Sequence, residues 1–227
     1  VGTTRFDGLS MTIREDGPKD KAGLIEIGIG VSETRRVMDG DVPRSASFSM
    51  KNLTVTPKAG SKLSRDLSAF GYDKIDVSAR TLASYDQTTR AFRLDDFTID
   101  GAGAGALTLA MSLGNVDKTF AAADPNQSLA AFMAADISQA SLKFVNAGLM
   151  DRALAYFAGA RSKETVRSEW AKAAGQYIPI ILGGDAGALS IASEAQKFLN
   201  DPRSLLITAK GKDGPVPLME LSGLKDP

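Results

Sequence analysis

Three short segments of the chain break the alternation of a β-strand in the same way. FDGLSMT, MKNLTVT and LDDFTID begin at Phe6, Met50 and Leu94, and each reads apolar, two positions, apolar, one position, apolar. A strand turns successive side chains to opposite faces, so a step of three throws the next apolar residue to the wrong side. An extra residue taken up as a β-bulge restores the face and turns the strand. The steps fall at Asp7-Gly8, Lys51-Asn52 and Asp95-Asp96, and a looser copy, ISQASLKF, starts at Ile137. The starts lie 44, 44 and 43 residues apart. That spacing fits a repeated unit of one bulged strand and its partner, and it equally fits a bulged meander with no ancestral repeat.

Between the bulges the period is two. LIEIGIGV sets Ile25, Ile27, Ile29 and Val31 against Glu26, Gly28 and Gly30, and SASFSM puts Ala46, Phe48 and Met50 on one side. KIDVSA pairs Ile75 with Val77, and in GALTLAMSLGN Leu107, Leu109, Met111 and Leu113 alternate with Thr108, Ala110 and Ser112. Polar residues this regularly interleaved predict antiparallel sheet with one covered and one wetter face. Gly101, Gly103 and Gly105 precede that last strand. A phosphate-binding loop needs such glycines at the N-terminus of a helix, and position 106 of the dinucleotide pattern is alanine, so the three are read as a hairpin corner.

After about residue 146 the apolar spacing becomes helical. Leu149, Ala153, Phe157 and Ala160 form one stripe. Val166, Trp170, Ala174, Tyr177 and Ile181 form a second, with Ser162 as N-cap, Pro179 as a kink or stop and Gly183-Gly184 as the end. A third stripe, Leu189, Ala192, Ala195 and Leu199, starts from Asp185 and stops at Asn200-Asp201-Pro202. Smaller helices are expected at SKLSRDLSAFG and LAAFMAAD, with Pro125-Asn126 interrupting the latter region; SLLITAKG returns as a strand and VPLMELSGL closes the chain with a short turn. The fold class is α+β: a long curved antiparallel sheet of about eight strands, a bulged meander, with a C-terminal helical layer or lid. Residues 1–227 are expected to form a single domain, mainly β over 1–146, mainly helical over 147–200 and packed on the sheet, with the returning strand at 203–211.

Chemistry is constrained by what is missing. The chain has no histidine and no cysteine, which removes the usual general base, the usual zinc ligands and thiol catalysis. Lysine plus arginine and aspartate plus glutamate stand at 27 each, so no net field draws in nucleic acid. Arg152, Arg161, Lys163, Arg167 and Lys172 are interleaved with Asp151, Glu164 and Glu169, as on a solvated helix face. Asp95, Asp96 and Asp100, and likewise Asp73, Asp76 and Asp86, read as bulge and turn residues, and Ser222 to Lys225 matches a serine–lysine spacing by chance. No run reaches the roughly 20 apolar residues of a spanning helix. The chain opens on Val1, and the expectation is that its natural start, with any signal peptide or N-terminal anchor, has been removed.

MKNLTVT, LDDFTID and the passage YDQTTRAFRLDDFTIDGAGAGALTLAMSLGN resemble the AsmA-like and YdgA-like proteins of the Gram-negative envelope. SLKFVNAGLMDRALAYFA is similar to the strand-then-helix passage of YdgA-like chains, and the likeness covers roughly residues 45 to 160. It implies a periplasmic setting and a β-rich groove concerned with phospholipid handling or envelope maintenance, and it brings no catalytic residues.

The expected function is therefore a non-enzymatic envelope protein, without catalytic residues, metal or cofactor, that shelters a lipid or other apolar ligand between sheet and helices. Leu107, Leu109, Met111, Leu142 and Phe144 are the expected groove residues, with Trp170 and Tyr177 from the helices. Trp170 also fits a plain core position. The alternatives are an envelope scaffold that binds a protein partner at a sheet edge, and a carboxylate-dependent hydrolase.

Overall fold

The computed structural model describes residues 1–14 and 23–222, with the side chains of 221 and 222 left aside. Eight strands lie side by side in chain order: β1 (Gly2–Arg14), β2 (Leu24–Asp39), β3 (Val42–Pro57), β4 (Ile75–Asp86), β5 (Ala91–Gly101), β6 (Gly105–Gly114), β7 (Asp136–Asn146) and β8 (Ser204–Lys210). Every neighbouring pair is antiparallel, and the short β9 (Val216–Pro217) also pairs with β7. The sheet is open and curved. Helices interrupt this meander: α1 (Lys62–Ala69), a 3-10 turn at Lys118–Ala121, α2 (Pro125–Met133), α3 (Leu149–Ala158), α4 (Lys163–Ile181), α5 (Ala186–Asn200) and α6 (Leu218–Ser222).

The broken alternation is what shapes the sheet. The register of β3 on β4 shifts between Met50 and Leu53, where Asn52 takes a φ of 56°. The register of β5 shifts between Leu94 and Phe97 against β6, and that of β7 shifts where Gln139 and Ile137 face Ser112 and Leu113. In β1, Gly8 has a φ of 70° and drops out of the pairing between Asp7 and Leu9. All four predicted bulge sites are irregular, and all lie on odd-numbered strands. Each time the three-residue step keeps the face. Met50 and Leu53 lie opposite Ala79 and Val77, and Leu94 and Phe97 lie opposite Met111 and Leu109. The bulges also move diagonally. On β4 the β3 bulge meets Ser78 while the β5 bulge meets Leu82, nearer the Tyr85 end. A diagonal line of bulges bends and coils the sheet, since each one raises the local twist.

Two sequence expectations change. Val31 does not continue the Ile25, Ile27, Ile29 face: it lies opposite Asp7 and Lys51, while Ser32 aligns with Phe6 and Met50. The reason is the same kink, which passes through β2 at Gly30, between Gly8 and Asn52 in the pairing. Pro125 does not interrupt α2 but starts it, at the first turn behind the Asp124 cap, where its missing N–H costs nothing. The caps at Ser162 and Asp185 are formed, accepting from Thr165 N at 3.1 Å and Ala188 N at 2.7 Å. The Ser222-to-Lys225 spacing lies outside the described residues.

The glycine corner is a hairpin, with Gly101 paired to Gly105. Its second use is to seat α3: Ala147 N and Leu149 N both donate to Ala104 O, at 3.0 and 3.1 Å. At Gly105, φ is 134° and a Cβ would stand 2.2 Å from Val145 O, whereas Gly103 has a φ of 69° and its nearest neighbour would be 3.7 Å away. The two glycines are therefore unequal. Gly105→Ala is expected to cost about 2–4 kcal/mol through backbone overlap and strain, and Gly103→Ala only about 1 kcal/mol. Urea unfolding of the two variants checks the order, and equal losses would mean that β6 and β7 do not approach as described.

Candidate functional site

The bulges leave one face of the sheet apolar from edge to edge. Residues in register make rows that run across the strands. One row is Met50, Ala79, Ile99, Leu107, Phe144 and Leu205; the next is Phe48, Thr81, Phe97, Leu109, Leu142 and Ile207. Toward β1 the face continues through Val77, Leu53, Ile29 and Leu9. The opposite face is polar. Arg80, Thr98, Thr108 and Lys143 share one row there, with Thr98 and Thr108 hydroxyls 2.9 Å apart and Arg80 paired to Asp96.

Helices cover the apolar face only in part. At one end the 3-10 turn and α2 press Phe120 and Phe132 onto Tyr85, Phe92 and Leu113, a cluster completed by Val42, Val116 and Ala135. Ring centroids stand 4.6 Å apart for Tyr85–Phe120 and 5.4 Å for Phe92–Phe132. The Tyr85 hydroxyl donates to Val116 O at 2.9 Å, and burial pushes its phenol pKa up. At the other end α1 and α3 stand over Ile75 and Val77 and form a half-open, mainly apolar recess of about 190 Å³ with Leu67 and Leu149. Phe70, Tyr156 and Phe157 join those two helices, with Phe70 and Tyr156 stacked at 4.0 Å. At β8 the flank is α5, whose Phe198 meets Phe144 at 5.9 Å.

The centre is left open. Ile99, Leu107 and Leu142 remain 38%, 39% and 38% exposed in the middle of the sheet, and Leu109, Met111, Phe97 and Phe144 are only half-buried. At the β1 edge Leu9, Met11 and Ile13 are exposed outright. Leucine and isoleucine left at this exposure forgo about two fifths of the ~1.5–3 kcal/mol that full burial of each side chain would bring. A contiguous patch of this kind makes the centre of the sheet the candidate site.

Of the seven residues singled out from sequence, the structure brings five together. Leu107 lies opposite Phe144, Leu109 opposite Leu142, and Met111 opposite Ala140. Trp170 sits elsewhere, in a small core with Leu154, Ala158 and Val166, its ring 5.5 Å from Phe157. Tyr177 is exposed on α4. Phe48, Met50, Phe97, Ile99, Leu205 and Ile207 belong with the five, and only the strand pairing reveals it.

Residues 98–227 match the model of a protein family described as "Uncharacterized protein". The chain belongs to that family. The match starts within β5 and takes in β6, β7, β8 and helices α2 to α5, so it holds five of the seven expected residues on the sheet and both on the helices. The description names neither AsmA-like nor YdgA-like proteins. A search of curated proteins found no match.

The acidic groups that stand out electrostatically are occupied in holding the backbone. Asp86 accepts from Thr88 N and Thr89 N at 2.8 and 3.2 Å, and Asp117 accepts from Thr119 N at 3.0 Å; these hydrogen bonds hold both carboxyls below the usual aspartate value of 3.8. For Asp96, burial acts upward but hydrogen bonds from Arg80 and Thr98 outweigh it, and the net direction is down. Lowered folded values give stability that is present above 3.8 and lost as pH falls through them. The Asp86→Asn, Asp117→Asn double variant keeps acceptors at both places but not the charge. It is expected to be less stable than the parent at about pH 7 by urea unfolding, with the difference shrinking as pH falls below 3.8, and a constant difference would contradict these assignments.

Proposed function

We propose that the open centre of the apolar face shelters an apolar ligand, a lipid acyl chain, and that the protein is a non-enzymatic envelope protein on the periplasmic side of an inner membrane. The observation that carries the reading is the pair of rows through Leu107 and Leu109, exposed between two helical flanks. From β3 to β8 such a row crosses six strands, about 24 Å at the usual spacing of 4.8 Å. One leaflet of a bilayer core is about 15 Å deep, so an extended chain from it has room along the row. The recess beside Leu67 and Leu149 adds half-open, mainly apolar space next to the rows. The bulged strands and the strand-to-helix passage that resemble AsmA-like and YdgA-like chains support the setting. A second reading, contact with an envelope protein along the sheet edge, is favoured by the exposure of Phe6, Leu9, Met11 and Ile13 on β1.

The test is mass spectrometry of an organic extract of the protein, purified without detergent from a Gram-negative envelope. The reading predicts a stoichiometric amphiphile. Leu109→Asp and Leu142→Asp should each lower it by about tenfold or more while circular dichroism keeps the parent spectrum, because a carboxylate in the row must be desolvated by the chain it meets. A clean extract from folded parent protein would overturn the reading and favour the edge contact.

A further inference from the structure

The apolar stripe of α4 outruns its partner. Val166 and Trp170, at its start, are packed against Leu154 and Ala158 of α3. Past Ala174 the same stripe continues as Tyr177, Ile180 and Ile181, which at spacings of three and four share one face. These are 60%, 74% and 75% exposed. On the inward side of the same turns Ile178 faces a half-open recess of about 420 Å³ that it lines together with Ile191 of α5 and Leu205 and Ile207 of β8. The last turns of α4 thus carry a second apolar face beyond the one that packing uses, with Gln176 the one polar side chain among them. Leu182, in the turn to α5, and Leu189, in its first turns, add to the exposed patch.

We infer that the tip of the α4–α5 hairpin seats in the surface of a lipid bilayer. Charge marks out the segment. Between Lys172 and Glu194 the single charged residue is Asp185, whose carboxylate accepts from Ala188 N and caps α5. From residue 173 to the end of α4 the uncharged helix runs about 13 Å at 1.5 Å per residue. Lys172 and Glu194 then stand back in water while the Tyr177, Ile180, Ile181 face enters the interface. Asp185 at the turn sets the depth: a carboxylate is costly in the hydrocarbon, so the hairpin lies obliquely with Asp185 among the headgroups. Tyrosine at such a boundary is apolar in its ring and wet at its hydroxyl. A second copy is a poorer occupant. It would need polar and charged partners around the patch to reach the ~800 Å² per partner of a stable interface, and residues 173–193 offer only Asp185 as a charge. Residues 173–196 hold no lysine or arginine, so the attachment does not depend on anionic lipid.

This inference stands on the hairpin and not on the lipid-binding reading of the sheet. It is tested by sedimentation of the full chain with phosphatidylcholine vesicles, with and without phosphatidylglycerol. The protein is expected to partition onto both equally and to stay bound in high salt. The Ile180→Ser, Ile181→Ser pair should lower partitioning by about tenfold or more. A Trp170→Phe, Ile181→Trp variant, which keeps the tip apolar, should be quenched by bromine-labelled acyl chains. No partitioning by the parent, no quenching at position 181, binding only to anionic vesicles, or a dimer lost in the serine pair would each overturn it.

Discussion

Everything in this molecule follows from the three-residue step that interrupts its odd-numbered strands. An unbulged strand with the sequence of β3 would put Met50 and Leu53 on opposite faces, and half of its apolar residues would face the polar row of Arg80 and Thr98. With Asn52 in the left-handed region the two stay together, and the same holds at Leu94 and Phe97. The cost of the unusual backbone at one residue is outweighed by keeping a whole face consistent. The bulges also turn the sheet, so an apolar face that would otherwise be flat is curved.

A curved apolar face must be covered, and here the helices cover its ends. The aromatic cluster around Tyr85 and Phe120 closes one end, α1 and α3 close the other, and α5 lies along β8. None reaches Leu107, Leu109 and Leu142 well enough to bury them. The helical hairpin is attached chiefly through α3 and α5, which leaves both the centre of the sheet and the outer side of α4 apolar and unpaired. Two separate apolar surfaces, one on the curved sheet and one on the α4–α5 hairpin, are what the proposed work beside lipid would use.

Much of the sheet was legible because its signals are local. Alternation in GALTLAMSLGN and the broken alternation in MKNLTVT each lie within a few residues, and bulges, strands and the shared face of Leu107, Leu109 and Met111 could be read directly. Val31 was misplaced because the kink at Gly30 belongs to a line through three strands, and a line across strands has no mark within one of them. Pro125 was read as a break because its role depends on whether Asp124 caps the turn. Trp170 and Tyr177 share a stripe in sequence, yet one is in a core and the other in solvent, since α3 ends before the stripe does. The rows that join Phe48 to Ile207 depend on pairing register over most of the chain, and no segment holds that information alone.

The most direct test of the account is methyl NMR of the leucine- and methionine-labelled protein during titration with a phospholipid. The account predicts shifts and lipid-to-methyl contacts at Leu107, Leu109 and Leu142, with Leu113 and Leu154 in the closed clusters unmoved. No change at the three open positions, or changes spread equally over the closed clusters, would contradict it.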